Sequence, residues 1–281
     1  MNDVYWSLRR ELWESRSIYL APLGVAAVFL LGFAMSTFGL PARMRAALAS
    51  VRMHQQDMIT QPYNLAALLI MAATFLVSLL YCIDALQSER RDRSILFWKS
   101  MPVSNFTTVL AKALVPIVVL PLITFAVTFV TQLLMLLLST LVLVANGMSI
   151  APLWSNVSFF SVSIGLLFHL VAIHGLFYAP IFGWLLLVSA WARRVAFLWA
   201  LLPPLALGAF ERIVFHTSHL AAMLSSRISG NATGNPKMSM DQLMPFTPGE
   251  FLLSPTLWTG LAFTAVCVVL AARLRRNREP V

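Results

Sequence analysis

Residues 113–156 read ALVPIVVLPLITFAVTFVTQLLMLLLSTLVLVANGMSIAPLWSN. No Asp, Glu, Lys or Arg occurs from Ala113 as far as Ala192. About 20 apolar residues carry a helix across about 30 Å of hydrocarbon, so this run is longer than one crossing needs. Its interruption is local: Asn146, Gly147, Ser149, Pro152, Ser155 and Asn156 cluster within a few residues, which is turn chemistry. The run therefore folds back on itself, as two long spans at 108–145 and 158–191.

The rest of the chain follows the same logic. Of its 281 residues, 59% are hydrophobic and 11% charged, against about 25% charged in an average soluble domain. A soluble fold needs a wetted polar shell that this chain cannot supply. Further uncharged runs occupy Ser17 to Ala42, Met58 to Ile83, Val195 to Phe210 and Phe251 to Ala272. The expected fold is an all-α integral membrane protein, one domain over 1–281. Its six spans lie at 17–39, 63–86, 108–145, 158–191, 195–216 and 254–273. Pro203-Pro204 interrupts the fifth span, with Glu211-Arg212 near its outer end. The N-terminus does not read as a cleavable signal, because polar and aromatic residues precede an apolar run longer than a signal core.

Lys and Arg set the orientation. With both termini cytoplasmic, the inner segments hold fourteen: Arg9, Arg10, Arg16, Arg90, Arg91, Arg93, Lys99, Lys112, Arg193, Arg194, Arg273, Arg275, Arg276 and Arg278. The outer segments hold six: Arg43, Arg45, Arg52, Arg212, Arg227 and Lys237. The net charge of +9 then reflects topology and anionic lipid rather than nucleic acid.

Two segments lie along the surface. Residues 1–16 hold an amphipathic helix, with Val4, Tyr5, Leu8 and Leu12 on one face and Ser7, Arg10, Glu11 and Glu14 opposite. It reads equally as a helix lying in the interface or as a leader running into the first span. The exterior segment 217–253 is too long for a structureless loop and is expected to hold short helices. There Leu220, Met223 and Leu224 recur at helical spacing.

Several chemistries are missing. There is no P-loop, H-E-x-x-H or G-x-S-x-G sequence. His169 and His174 stand about 140° apart around a helix, which suits packing rather than one shared metal. Cys82 and Cys267 lie in apolar runs as small buried hydrophobes. The span centres carry no carboxylate, which argues against an ion-driven cycle.

Residues 89–104, ERRDRSILFWKSMPVS, are the exception in this apolar chain. They connect spans two and three on the cytoplasmic side. Charges come first, then Ile95, Leu96, Phe97 and Trp98, and Pro102 ends a short helix near Ser100. Two readings stand: a docking helix, since Arg and Trp are enriched in protein–protein hot spots, or a lipid-facing loop with interfacial aromatics. Glu89 and Asp92 favour docking, because anionic lipid would repel them.

The longer segment ERRDRSILFWKSMPVSNFTTVLAK, residues 89–112, resembles the corresponding loop of type-2 ABC exporter permeases. The matching positions are Glu89-Arg90, Ser94-Ile95-Leu96, Pro102-Val103-Ser104 and Lys112. Arg93 stands where many members carry glycine, and Phe97-Trp98-Lys99-Ser100 is similar to a bacterial subgroup. The resemblance implies the permease subunit of an ATP-driven exporter in a bacterial cytoplasmic membrane, not itself an enzyme. It implies two permease copies with two cytoplasmic ABC ATPase subunits, which bind the ATP and Mg; this chain binds no cofactor. It implies a coupling segment at 87–106, with Glu89, Arg90, Arg91, Asp92, Arg93, Phe97, Trp98 and Lys99 docking on the ATPase. Membrane lipid and an unknown exported cargo are the other partners. A membrane assembly or sensor subunit using 89–104 as an adaptor site is the alternative.

Overall fold

The computed structural model describes residues 2–49, 52–91, 104–157, 159–192, 195–218, 222 and 252–277. These are helical almost throughout, with no strand among the described residues. Five helical stretches among them are long and apolar enough to cross a membrane: Ser17–Leu48, Gln55–Arg91, Asn105–Ala145, Ala196–Val214 and Pro255–Asn277. A further pair, Ser163–Phe177 and Ala179–Trp191, meets the same condition only when taken together, and bends by 43°. This is the build of an all-α multi-pass membrane protein.

The chain divides into two compact units. One gathers residues 17–76 and 122–170. It holds α2 (Ser17–Ser36), which continues through one 3-10 turn into α3 (Leu40–Leu48), most of α4 (Arg52–Asp84), most of α7 (Leu120–Ala145), α8 (Ala151–Asn156) and α9 (Phe159–His169). Phe33, Met44, Ile59, Tyr63, Met135, Leu143 and Leu153 build its main apolar core. Small polar groups stitch α4 to α7. Tyr63 Oη and Ser139 Oγ share a hydrogen bond of 3.1 Å, Gln132 Nε2 donates to the Tyr63 carbonyl at 3.3 Å, and Thr124 Oγ1 donates to Thr74 Oγ1 at 2.8 Å. Such pairs add roughly 0.6 kcal/mol each between membrane helices.

The turn expected at 146–156 is present, and its cause is visible. Gly147 takes φ +67° after the end of α7. Its N–H donates to the Val144 carbonyl at 3.0 Å, and Met148 N–H donates to Leu143 at 2.9 Å. This pair of bonds is the Schellman cap, which needs a left-handed residue that glycine supplies without a Cβ penalty. Met148 then packs on the core that contains Leu143, completing the motif.

The other unit gathers residues 1–16, 77–121 and 171–281. It holds α1 (Asn2–Glu14), the end of α4, α5 (Gln87–Arg91), α6 (Asn105–Leu114), α10 (Ala179–Trp191), α11 (Ala196–Val214) and α12 (Pro255–Asn277). Helices α10 and α12 pack closely through small residues. A Cβ added to Gly183 would lie 3.2 Å from Thr264 Cα and 3.4 Å from Cys267 Cβ, and Gly260, Thr264 and Ala271 are buried on α12. Close backbone approach of this kind is the usual basis of helix association in lipid. The α10–α11 hairpin is closed by Trp184 Nε1 donating to the Ala200 carbonyl at 3.1 Å and by an edge-on contact of Trp191 and Trp199, centroids 4.8 Å apart.

Three expectations change. The stretch expected as a span at 158–191 is a pair of helices bent by 43° rather than one straight helix. A π-helical stretch, Leu170–Phe177, precedes a stop at Tyr178, and α10 restarts with Pro180 in its first turn. Pro180 has no N–H to donate to the preceding turn, and the first turn of a helix is where that loss costs least. Pro203-Pro204 does not interrupt the fifth apolar helix, which runs unbroken from Ala196 to Val214. The third change concerns α1. Two residues of the face read as polar, Ser7 and Glu11, are buried, while Val4, Leu8 and Leu12 are half-buried and Tyr5, Trp6 and Trp13 are exposed. The charges of its neighbours explain the burial of Glu11.

Most of the expected exterior segment, 217–253, and most of the patch, from Asp92 to Val103, lie outside the described residues.

Candidate functional site: a buried ionic junction

The densest chemistry among the described residues is a cluster of charges assembled by the unit that contains α1. It begins with α6. Ser104 caps this helix, its Oγ accepting from Thr107 N–H at 3.0 Å. Such caps contribute about 1 kcal/mol. The helix then places Thr108 and Lys112, four residues apart, on one buried face. Lys112 is 3% exposed. A buried ammonium needs carboxylates, and α1 supplies one.

Lys112 Nζ lies 2.9 Å from both Glu11 oxygens and 3.3 Å from Glu89 Oε1. Glu11 also accepts from Tyr81 Oη at 2.9 Å, from the end of α4, and from Arg10 at 2.8 Å. Glu89, on α5, accepts from Arg275 Nη2 at 2.9 Å, and Arg10 lies 3.6 Å from its other oxygen. Arg275 reaches from the last turns of α12 and also donates to Asn105 Oδ1 at 2.9 Å. The side chains of Glu11, Glu89, Lys112 and Arg275 are each 4% exposed or less. Arg10 and Glu14 sit at the rim, 3.8 Å apart. One ionic cluster thus joins α1, the end of α4, α5, α6 and the C-terminal end of α12.

The electrostatics of Glu11 follow from this geometry. Burial alone pushes its carboxyl up. Lys112 and then Arg10 outweigh that by charge and hydrogen bonding, so its pKa lies below the ordinary glutamate value. At the rim, burial and the charge of Glu11 hold Glu14 above the ordinary value.

Arg90, next to Glu89, serves a second contact. Its Nη2 donates to the Ser189 and Ala192 carbonyls, each at 2.6 Å. These are among the carbonyls that the end of α10 leaves without intrahelical donors. In return Ser189 Oγ accepts from the backbone N–H groups of Leu86 at 3.0 Å and Gln87 at 3.1 Å, the free donors at the start of α5. The end of one helix and the start of the other therefore satisfy each other. A cation at a helix C-terminus is favoured by the helix dipole as well.

Of the residues expected to dock a partner, Glu89 and Arg90 are 3% and 4% exposed and committed within the chain. Arg91 is exposed. Asp92, Arg93, Phe97, Trp98 and Lys99 lie outside the described residues. Sequence reasoning missed Glu11, Tyr81, Lys112, Ser189 and Arg275 as parts of a site. One signal was available: Lys112 is the only formal charge between Lys99 and Arg193, flanked by alanines on an apolar helix, and an isolated lysine in such a setting calls for a buried partner.

The junction can hold segments in register and carry displacement between them. No cluster of three or more potential metal ligands occurs among the described residues, and both cysteines are buried free thiols. No protein-family model matches the chain, and comparison with curated proteins and with solved structures gives no match either.

Proposed function

We propose that this chain is the membrane-spanning permease subunit of an ATP-driven exporter. It works as a homodimer with two separate cytoplasmic ATPase subunits that bind ATP and Mg. In this reading the bent pair counts as one span, giving six, with both termini in the cytoplasm of a bacterium and 217–253 outside. The observation that carries it is the ionic junction at the root of the segment 92–103. A segment that receives force from a partner must be tied to the spans it moves. Glu89 is bonded to Arg275 on α12 and lies 3.3 Å from Lys112 on α6, so movement of the segment is passed to both helices. The permease dimer is then a two-state element biased by nucleotide through the partner.

The roles within the patch divide accordingly. Glu89 and Arg90 anchor it, while Arg91, Asp92, Arg93, Phe97, Trp98 and Lys99 meet the ATPase. An aromatic hot spot truncated to alanine costs about 2 kcal/mol or more, which is more than ten-fold in affinity. The test is purification from native membranes followed by nanodisc reconstitution. The expected result is a co-purifying P-loop ATPase whose affinity falls ten-fold or more with Trp98→Ala. Failure of any ATPase to co-purify, or unchanged affinity and coupled hydrolysis in that variant, overturns the reading and leaves an assembly or sensor subunit.

A further inference from the structure

The unit formed by 17–76 and 122–170 contains a cavity of about 160 Å³ that the junction does not use. Its walls come from α2, α3, α4, α7 and α8. Phe33, Met44, Ile59 and Leu153, all buried, line it with apolar surface. The buried Tyr63–Ser139 hydroxyl pair also lines it. That pair shares one hydrogen bond, and two hydroxyls carry two protons, so a donor remains for an acceptor inside the cavity. Arg43, which is exposed, is the only charged residue among those lining it. Its guanidinium donates to the Ser36 carbonyl near the end of α2, which steadies it; a guanidinium has five donors, so others remain for a ligand.

We propose that this cavity binds an anionic single-chain amphiphile, an alkyl carboxylate or alkyl phosphate. The size sets the apolar part: an apolar cavity of roughly 150 Å³ accepts a benzene-sized group, so about six carbons enter. The single cation sets the sign of the head group, and its planar fork suits carboxylate or phosphate. The spare hydroxyl proton meets an oxygen of the ligand. Free carboxylates and single-chain membrane lipids share this chemistry. The site belongs to the unit that does not contain the ionic junction, and binding here requires no ATPase, so the proposal stands apart from the exporter reading.

The test uses the full chain in nanodiscs without any partner. A decanoic acid carrying a diazirine near its tail is photoactivated, and labelled peptides are mapped by mass spectrometry. Labelling is expected on the peptides containing Phe33, Met44 and Tyr63, and excess unlabelled ligand should remove it. Ala47→Leu fills the cavity from α3 and should cut labelling there ten-fold or more. Arg43→Gln, on an exposed residue that does not threaten folding, should weaken competition by decanoate about ten-fold while leaving competition by uncharged decanol unchanged. Stronger competition by a lysophosphatidic acid than by decanoate identifies a membrane lipid as the source, and the reverse identifies a free acid. Labelling that spreads over the exposed α11 surface and ignores both substitutions overturns the site. So does a failure of both anions to compete.

Discussion

Lys112→Met tests the junction at its centre. Methionine keeps much of the side-chain length but removes the ammonium that lies 2.9 Å from Glu11 and 3.3 Å from Glu89. Both carboxylates are 2% exposed, so water cannot replace the lost cation. Breaking a buried pair in this way costs about 3–5 kcal/mol. Arg10 and Arg275 remain beside the two carboxylates, which places the expectation at the lower end, about 3 kcal/mol. Replacing Glu11 as well, with glutamine, removes one of the stranded charges. The double variant should then cost no more than the worse single change. Cys82 reports on opening: it is 0% exposed and adjoins Tyr81, whose hydroxyl donates to Glu11. In a Cys267→Ala background, the rate at which a water-soluble maleimide labels Cys82 tracks the population of opened molecules when reclosing is fast. About 3 kcal/mol is a factor of about a hundred in that rate. Single-variant effects that add to within about 0.5 kcal/mol in the double variant would show independent sites, and the reasoning about a shared buried junction would fail.

Other outcomes follow from the same geometry. Accessibility reporters placed at residues 48, 150 and 235 should read outside, and those at 5, 95, 193 and 278 inside; a cytoplasmic reading at 235 contradicts six spans. Gly183→Leu should force α10 and α12 apart, because even a Cβ there meets the Thr264 backbone at 3.2 Å. Overpacking of this kind costs about 1–3 kcal/mol, and Cys267, 1% exposed, should become faster to label; an unchanged rate counts against close packing. Acid should loosen the junction. Glu11 has a lowered pKa in the folded chain, so its stabilisation is present above the ordinary glutamate value of 4.5 and is lost as pH falls through the lower folded value. Thermal midpoints followed by circular dichroism should decline below about pH 4.5, and the part due to Glu11 should vanish in Glu11→Gln. An identical decline in that variant assigns the effect elsewhere.

That the chain is helical and apolar, roughly where its long helices lie, and where the central run turns can all be read from the residues in order. These are local properties. Hydrocarbon thickness sets the length of an apolar helix, and Gly147 supplies its turn through its own backbone freedom. The inward direction of α1 is of another kind. Its apolar residues share one face, and in water that face would be buried. The polar face carries the residue with something specific to meet: Glu11 finds Lys112, which lies 101 positions along the chain. Glu89 finds Arg275 across 186 positions. Charge, helix phase and hydropathy around Glu89 are the same whether it faces a partner protein or the interior. Only the packing of α6 and α12 around it decides, because a carboxylate leaves water only where cations already wait to replace the hydration it loses.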